Sequence, residues 1–136
     1  MARRVAPGTG TLVLDSEGLS KAATMDERTA AYVKTALREQ GRVIVPAVTL
    51  AEVLRGGARD VLVHRALANY EVVPITRQLG QAAGELLGNV GGNQTIDALV
   101  AAVARAQPGR VVVLTSDVAD LTSLTEGSVD TLIVHV

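Results

Sequence analysis

The chain has no cysteine, phenylalanine or tryptophan, and Tyr32 and Tyr70 are its only aromatic residues. Without thiols, structural disulfides, thiolate metal sites and cysteine nucleophiles are excluded, and a reducing cytoplasm is compatible with the chain. With so few stacking side chains, recognition of nucleic acid by base stacking is not expected. A surplus of charge of one sign is also missing: 13 basic side chains stand against 14 acidic ones, a formal net charge of −1. No overall positive field therefore holds nucleic acid non-specifically, and any such contact must be local. Long apolar runs are lacking too. The longest fall far short of a membrane span, and Arg3-Arg4 leads into Pro7, Gly8 and Gly10 instead of a secretory apolar core. The expectation is a soluble, cytoplasmic protein with no membrane contact.

What is present is a chain of 136 residues, 48% hydrophobic, in which Ala, Val and Leu must build the core. That length suits one domain, and that mixture suits helices packed on a buried sheet. Apolar runs at Thr11-Leu12-Val13-Leu14, Arg42-Val43-Ile44-Val45, residues 71–75, Val111-Val112-Val113-Leu114 and residues 131–136 read as strands. Between them, helical spacing marks residues 26–40, 49–55, 60–69, 76–87 and the stretch with Ile96, Leu99, Val100, Val103 and Ala104 on one face, then a short piece at 118–124. Strands separated by helices imply βαβ units and a parallel sheet with both faces covered. Residues 1–10 are expected to be an N-terminal tail, and 11–136 the domain.

Four acids, Asp15, Glu52, Asp97 and Asp117, stand where an apolar strand hands over to a helix or just inside the helix that follows. In a parallel α/β sheet those handovers share one edge, so the four carboxylates are expected to converge. Crowded carboxylates repel, and the repulsion raises a pKa or calls in a cation. Hard divalent ions with oxygen ligands are the usual answer, and they support phosphoryl chemistry. Each acid also has a plain structural account. Asp15 could start a turn. Glu52 could close a capping box with Thr49. Asp97, in a first helical turn, gains about 0.3 to 1 kcal/mol from the helix dipole. Asp117 could be an N-cap with Asp120 as its reciprocal partner.

Taken in order, Leu12-Val13-Leu14-Asp15-Ser16, Thr49-Leu50-Ala51-Glu52-Val53-Leu54-Arg55-Gly56, Ile96-Asp97-Ala98-Leu99-Val100-Ala101-Ala102 and Leu114-Thr115-Ser116-Asp117 resemble the PIN-domain nucleases, and the compact length looks most like the VapC-type toxins of bacterial toxin–antitoxin pairs. The resemblance implies a single PIN-like α/β domain with strand order 3-2-1-4-5, helices on both faces and a Mg²⁺ or Mn²⁺ site on the sheet's C-terminal edge. It makes Asp15, Glu52, Asp97 and Asp117 the catalytic and metal-holding quartet. Asp120 becomes a further metal-assisting acid, and Ser16 and Thr115 become hydroxyls that orient carboxylates. The implied activity is endoribonuclease cleavage of structured RNA such as tRNA by metal-activated water. A small cognate antitoxin would restrain it by placing a basic side chain against the quartet, and the toxin would form a homodimer. Leu121 stands where the family commonly has an aromatic. Arg55, then Lys21, are the expected RNA contacts, while His64 and His135 fall outside every motif.

Two other functions are compatible with the residues. One is a PIN-like module that binds RNA or protein without cutting. The other is an Asp-based phosphohydrolase or receiver-like domain with Asp15 as nucleophile, for which Glu17 gives slight support. The only lysines, Lys21 and Lys34, supply no partner at a strand end.

Overall fold

The computed structural model describes residues 10–136, so the expected tail, with Arg3 and Arg4, lies outside the described residues except for Gly10. Strands β1 (Thr11–Leu14), β2 (Arg42–Pro46), β3 (Glu71–Val73), β4 (Val111–Thr115) and β5 (Thr131–His135) form one sheet in the order β3-β2-β1-β4-β5. Every neighbouring pair is parallel. Seven helices among the described residues join them: α1 (Ser16–Ala23), α2 (Glu27–Arg38), α3 (Ala47–Val53), α4 (Asp60–Leu67), α5 (Arg77–Val90), α6 (Thr95–Arg105) and α7 (Val118–Leu124). Fold class and strand order are those the sequence led us to expect.

The central strands are unbroken apolar runs because both faces of the sheet are covered. Val13, Ile44, Val111 and Val113 pack with α5, α6 and α7 on one side, and Leu12, Leu14, Val43, Val45 and Leu114 pack with α1 to α4 on the other. With no large aromatics to fill space, helix and sheet must approach closely. On α6, Ala98, Ala101 and Ala104 are fully buried beside Val100 and Val103.

Three expectations are corrected. Helix α1 was not foreseen, although Asp15 caps it by accepting from the Gly18 amide at 2.8 Å and Leu19, Ala22 and Ala23 form its buried face. Helix α3 starts at Ala47, not Thr49, because Pro46 pairs with Val73 and is then itself the N-cap, so strand passes into helix without a loop. Strand β3 ends at Val73, short of residue 75.

Candidate active site

Strands β1, β2 and β3 progress in one direction from the centre of the sheet, whereas β4 lies on the other side of β1. Connections therefore diverge at the C-terminal ends of β1 and β4, where a crevice opens beyond the sheet edge. Asp15 follows β1, and Thr115 ends β4 two residues before Asp117, so the first and last acids flank that crevice.

Asp15 is 5% exposed. Burial pushes its carboxyl above the usual range, the Gly18 amide and the Thr115 hydroxyl pull it back, and Asp117 and Glu17 push it up again. Gly18 is required where it stands: a Cβ there would lie 2.8 Å from the Leu114 carbonyl oxygen, and only a bare backbone lets α1 approach β4 this closely. Thr115 is fully buried, and its hydroxyl accepts the Asp117 amide at 2.9 Å. One hydroxyl thus touches the settings of two acids.

Glu52 lies in the last turn of α3, exposed, and the Ser16 hydroxyl donates to its carboxylate across the start of α1. The capping-box account of Glu52 is overturned, since Thr49 sits inside the helix and donates to the Pro46 carbonyl. Asp117 occupies the N-cap of α7 but makes no side-chain capping bond, so reciprocal capping with Asp120 is overturned as well. Asp15, expected only to start a turn, caps α1 instead.

Asp97, in the first turn of α6, joins the group together. Its carboxyl is pushed up to about 6, first by partial burial and then by Asp117, Asp120, Asp15 and Glu52. All the acids expected at the site therefore act on one carboxyl. They are not drawn into a finished cage: among the described residues no three His, Cys, Asp or Glu side chains are grouped as a metal site. The two observations concern different distances, because a like-charge field acts over several ångströms whereas Mg²⁺ ligands sit at about 2 Å. The donors are carboxylates and hydroxyls only, the hard oxygen set that suits Mg²⁺ or Mn²⁺ and not a soft metal.

Lys21 stands 4.0 Å from Glu17 one turn away on α1. The Arg55 guanidinium folds onto its own helix end, with Nη1 donating to the carbonyls of Ala51 and Leu54. Leu121 is fully buried among the core residues beneath α7, so an aliphatic side chain fills this wall from within. His64 is exposed on α4, and His135 is exposed at the end of β5, in register with Thr115. Sequence reasoning also missed Asp60, a buried acid that accepts two backbone amides; no periodicity or capping pattern marks such a contact. An open groove of about 700 Å³, with Leu12, Tyr32, Arg110, Asp130 and Leu132 in its walls, lies at the opposite, N-terminal edge of the sheet. Among the described residues no helix is long and apolar enough to cross a membrane.

Comparison with known proteins agrees with this fold. Solved structures that share the fold include three from toxin–antitoxin or related complexes. A VapBC2 complex from Rickettsia felis bound to promoter DNA matches at TM-score 0.72 and 14% identity, covering 93% of this chain and 98% of the other. FitAcB from Neisseria gonorrhoeae matches at TM-score 0.64 and 18% identity, covering 90% and 95%. A toxin–antitoxin complex from Klebsiella pneumoniae matches at TM-score 0.62 and 17% identity, covering 89% and 95%. No curated protein matches by sequence. The family model of the PIN domain matches residues 12–119, a span that takes in every acid of the edge but Asp120, and the chain belongs to the PIN-domain family.

Proposed function

We propose that this protein is a Mg²⁺- or Mn²⁺-dependent endoribonuclease, the toxin of a bacterial VapC-type toxin–antitoxin pair, acting in the cytoplasm on structured RNA such as tRNA. The observation that carries this reading is the placement of Asp15 after β1, Glu52 in α3, Asp97 in the first turn of α6 and Asp117 after β4, near enough for Asp117, Asp120, Asp15 and Glu52 all to raise the Asp97 carboxyl. A family of nucleases and fold neighbours taken from toxin–antitoxin complexes support it at a coarser level.

In this reading Asp15, Asp97 and Asp117 hold the ion, with Glu52 and Asp120 completing its oxygen environment. When bound, the ion supplies Lewis-acid polarisation of a phosphoryl oxygen and brings the pKa of a water down into the range of a nucleophile. The chain's own residues prepare for this. Ser16 orients Glu52 through its hydroxyl, and Thr115 fixes the turn that presents Asp117. The exposure of Glu52, Asp117 and Asp120 leaves the edge open to a phosphodiester. Arg55 and Lys21 are the cations offered to the RNA backbone, and a small antitoxin would compete by bringing a basic group to the same acids; the toxin itself would be a homodimer. A phosphoacceptor role for Asp15 is disfavoured by its burial and its bond to Gly18.

The test is cleavage of total RNA by the purified protein with Mg²⁺ or Mn²⁺, with excess EDTA, and with Asp15→Asn. Discrete products lost with EDTA and in the variant are expected. Products that persist in EDTA or in Asp15→Asn would refute the assignment.

A further inference from the structure

Glu52 sits in the last turn of a seven-residue helix whose N-terminal end is held by the sheet and by the Thr49 hydroxyl on the Pro46 carbonyl, while its other end is held by a side chain from outside the helix. There the chain turns through Gly56 at φ 84°, and the consecutive amides of Arg55 and Gly56 both donate to Asp60, at 3.0 and 2.7 Å to the same oxygen. Its second oxygen accepts the Arg55 amide at 3.2 Å. Successive amides in a turn make a small anion-binding concavity, and this one is filled from within the chain. Asp60 is 8% exposed and opens α4, whose N-terminal end favours its charge. Arg55 extends the brace, since its side chain holds the carbonyls of Ala51 and Leu54 on either side of Glu52.

We propose that Asp60 is a positioning residue for Glu52: by holding the Arg55 and Gly56 amides it locks the last turn of α3 and so aims Glu52 at the acidic edge. The inference rests on Glu52 belonging to the cation site. Loss of the Asp60 charge weakens the hold on two successive amides of an otherwise exposed turn, so the turn loosens. The movement passes along α3 to the Glu52 carboxylate and its bond from Ser16. The same turn forms one wall of a cleft of about 420 Å³ bordered by Arg55 and Arg59, so the brace also fixes where those guanidinium groups stand.

The experiment uses the full chain with Asp60→Asn, which keeps the size of the side chain and one accepting oxygen but removes the charge and sets an amide NH₂ where the second oxygen accepts the Arg55 amide. A second variant, Gly56→Ala, disturbs the same turn through backbone strain alone, since a Cβ there meets nothing within 4 Å. Three quantities are read: amide exchange at Arg55 and Gly56 by NMR, Mn²⁺ affinity by EPR titration, and RNA cleavage in Mn²⁺. Faster exchange at those two amides, roughly tenfold weaker Mn²⁺ binding and roughly tenfold lower kcat are expected for Asp60→Asn, with smaller effects in the same direction for Gly56→Ala. In a Glu52→Gln background Asp60→Asn should leave Mn²⁺ affinity unchanged. The same fold-loss of affinity in both backgrounds, or full affinity despite faster exchange, would overturn the proposal while wild-type cleavage left the nuclease reading standing. A wild-type protein that neither binds Mn²⁺ nor cuts RNA would overturn both. Should Asp60→Asn fail to fold, Gly56→Ala carries the same comparison.

Discussion

Replacing Asp97 with Asn should make the metal-free protein more stable at neutral pH. The folded state raises the Asp97 carboxyl from 3.8 to about 6, by burial first and four neighbouring acids after it. At face value that shift is a penalty of about 3 kcal/mol on the charged form. The group is only half-buried, and solvent screening reduces the figure to about 1–2 kcal/mol. The penalty is absent below about pH 4, where the carboxyl is protonated folded and unfolded alike; it grows between about 4 and 6 and is complete above 6. The neutral amide of the variant carries no such charge, so in EDTA at pH 7.5 it should unfold at a higher temperature, by about 4 °C per kcal/mol for a domain of this size. The gap between variant and wild type should close as pH falls to 4. Comparing the two proteins cancels groups that Asp97 does not touch, such as Asp26, whose lowered carboxyl acts oppositely, whereas Asp15, coupled to Asp97 and also raised, is relieved together with it. Mn²⁺ should invert the order by stabilising the wild type and not the variant. A variant that is less stable than wild type in EDTA at pH 7.5, or a gap independent of pH, would refute the reasoning.

Gly18→Ala should lower thermal stability by about 1–3 kcal/mol and reduce cleavage, because the new Cβ would meet the Leu114 carbonyl oxygen at 2.8 Å and push away the helix that Asp15 caps; urea unfolding and a cleavage assay on the same preparation check both. Ser16→Ala should leave the unfolding midpoint nearly unchanged yet lower activity about tenfold or more, since it removes the donor that orients Glu52. Leu121→Ala should cost about 2–5 kcal/mol in chemical unfolding, because the side chain is fully buried beneath the helix that carries Asp120. Arg42→Gln, at the N-terminal end of β2, loses a two-pronged exposed pair with Glu71 and a bond to Gln107, and should change stability by about 1 kcal/mol and cleavage not at all.

The sheet was legible because its strands are continuous Val, Ile and Leu runs that only a doubly covered parallel sheet explains, and the convergence of the acids followed from that topology. What escaped notice depended on contacts the one-dimensional pattern does not hold. Helix α1 was hidden because its eight residues include Ser16, Gly18 and Ser20; its stability comes from the Asp15 cap and from packing of Leu19 against the sheet, not from propensity. The start of α3 was displaced because Thr49 looks like a cap in sequence, while the chain places Pro46 there and turns the Thr49 hydroxyl inward. Asp60 reads as an ordinary first-turn acid until Arg55 and Gly56 are seen to donate to it. The influence of four acids on Asp97 is compatible with the handovers, but their separation from a finished cage is a matter of side-chain distance that spacing along a chain does not encode.

The most direct test of the central claim is anomalous diffraction from crystals of the protein soaked in Mn²⁺. The account predicts one or two manganese peaks at the C-terminal edge, within bonding distance of Asp15, Asp97 or Asp117 oxygens and lost in Asp97→Asn. Ordered manganese only elsewhere, or none at that edge at saturating Mn²⁺, would contradict it.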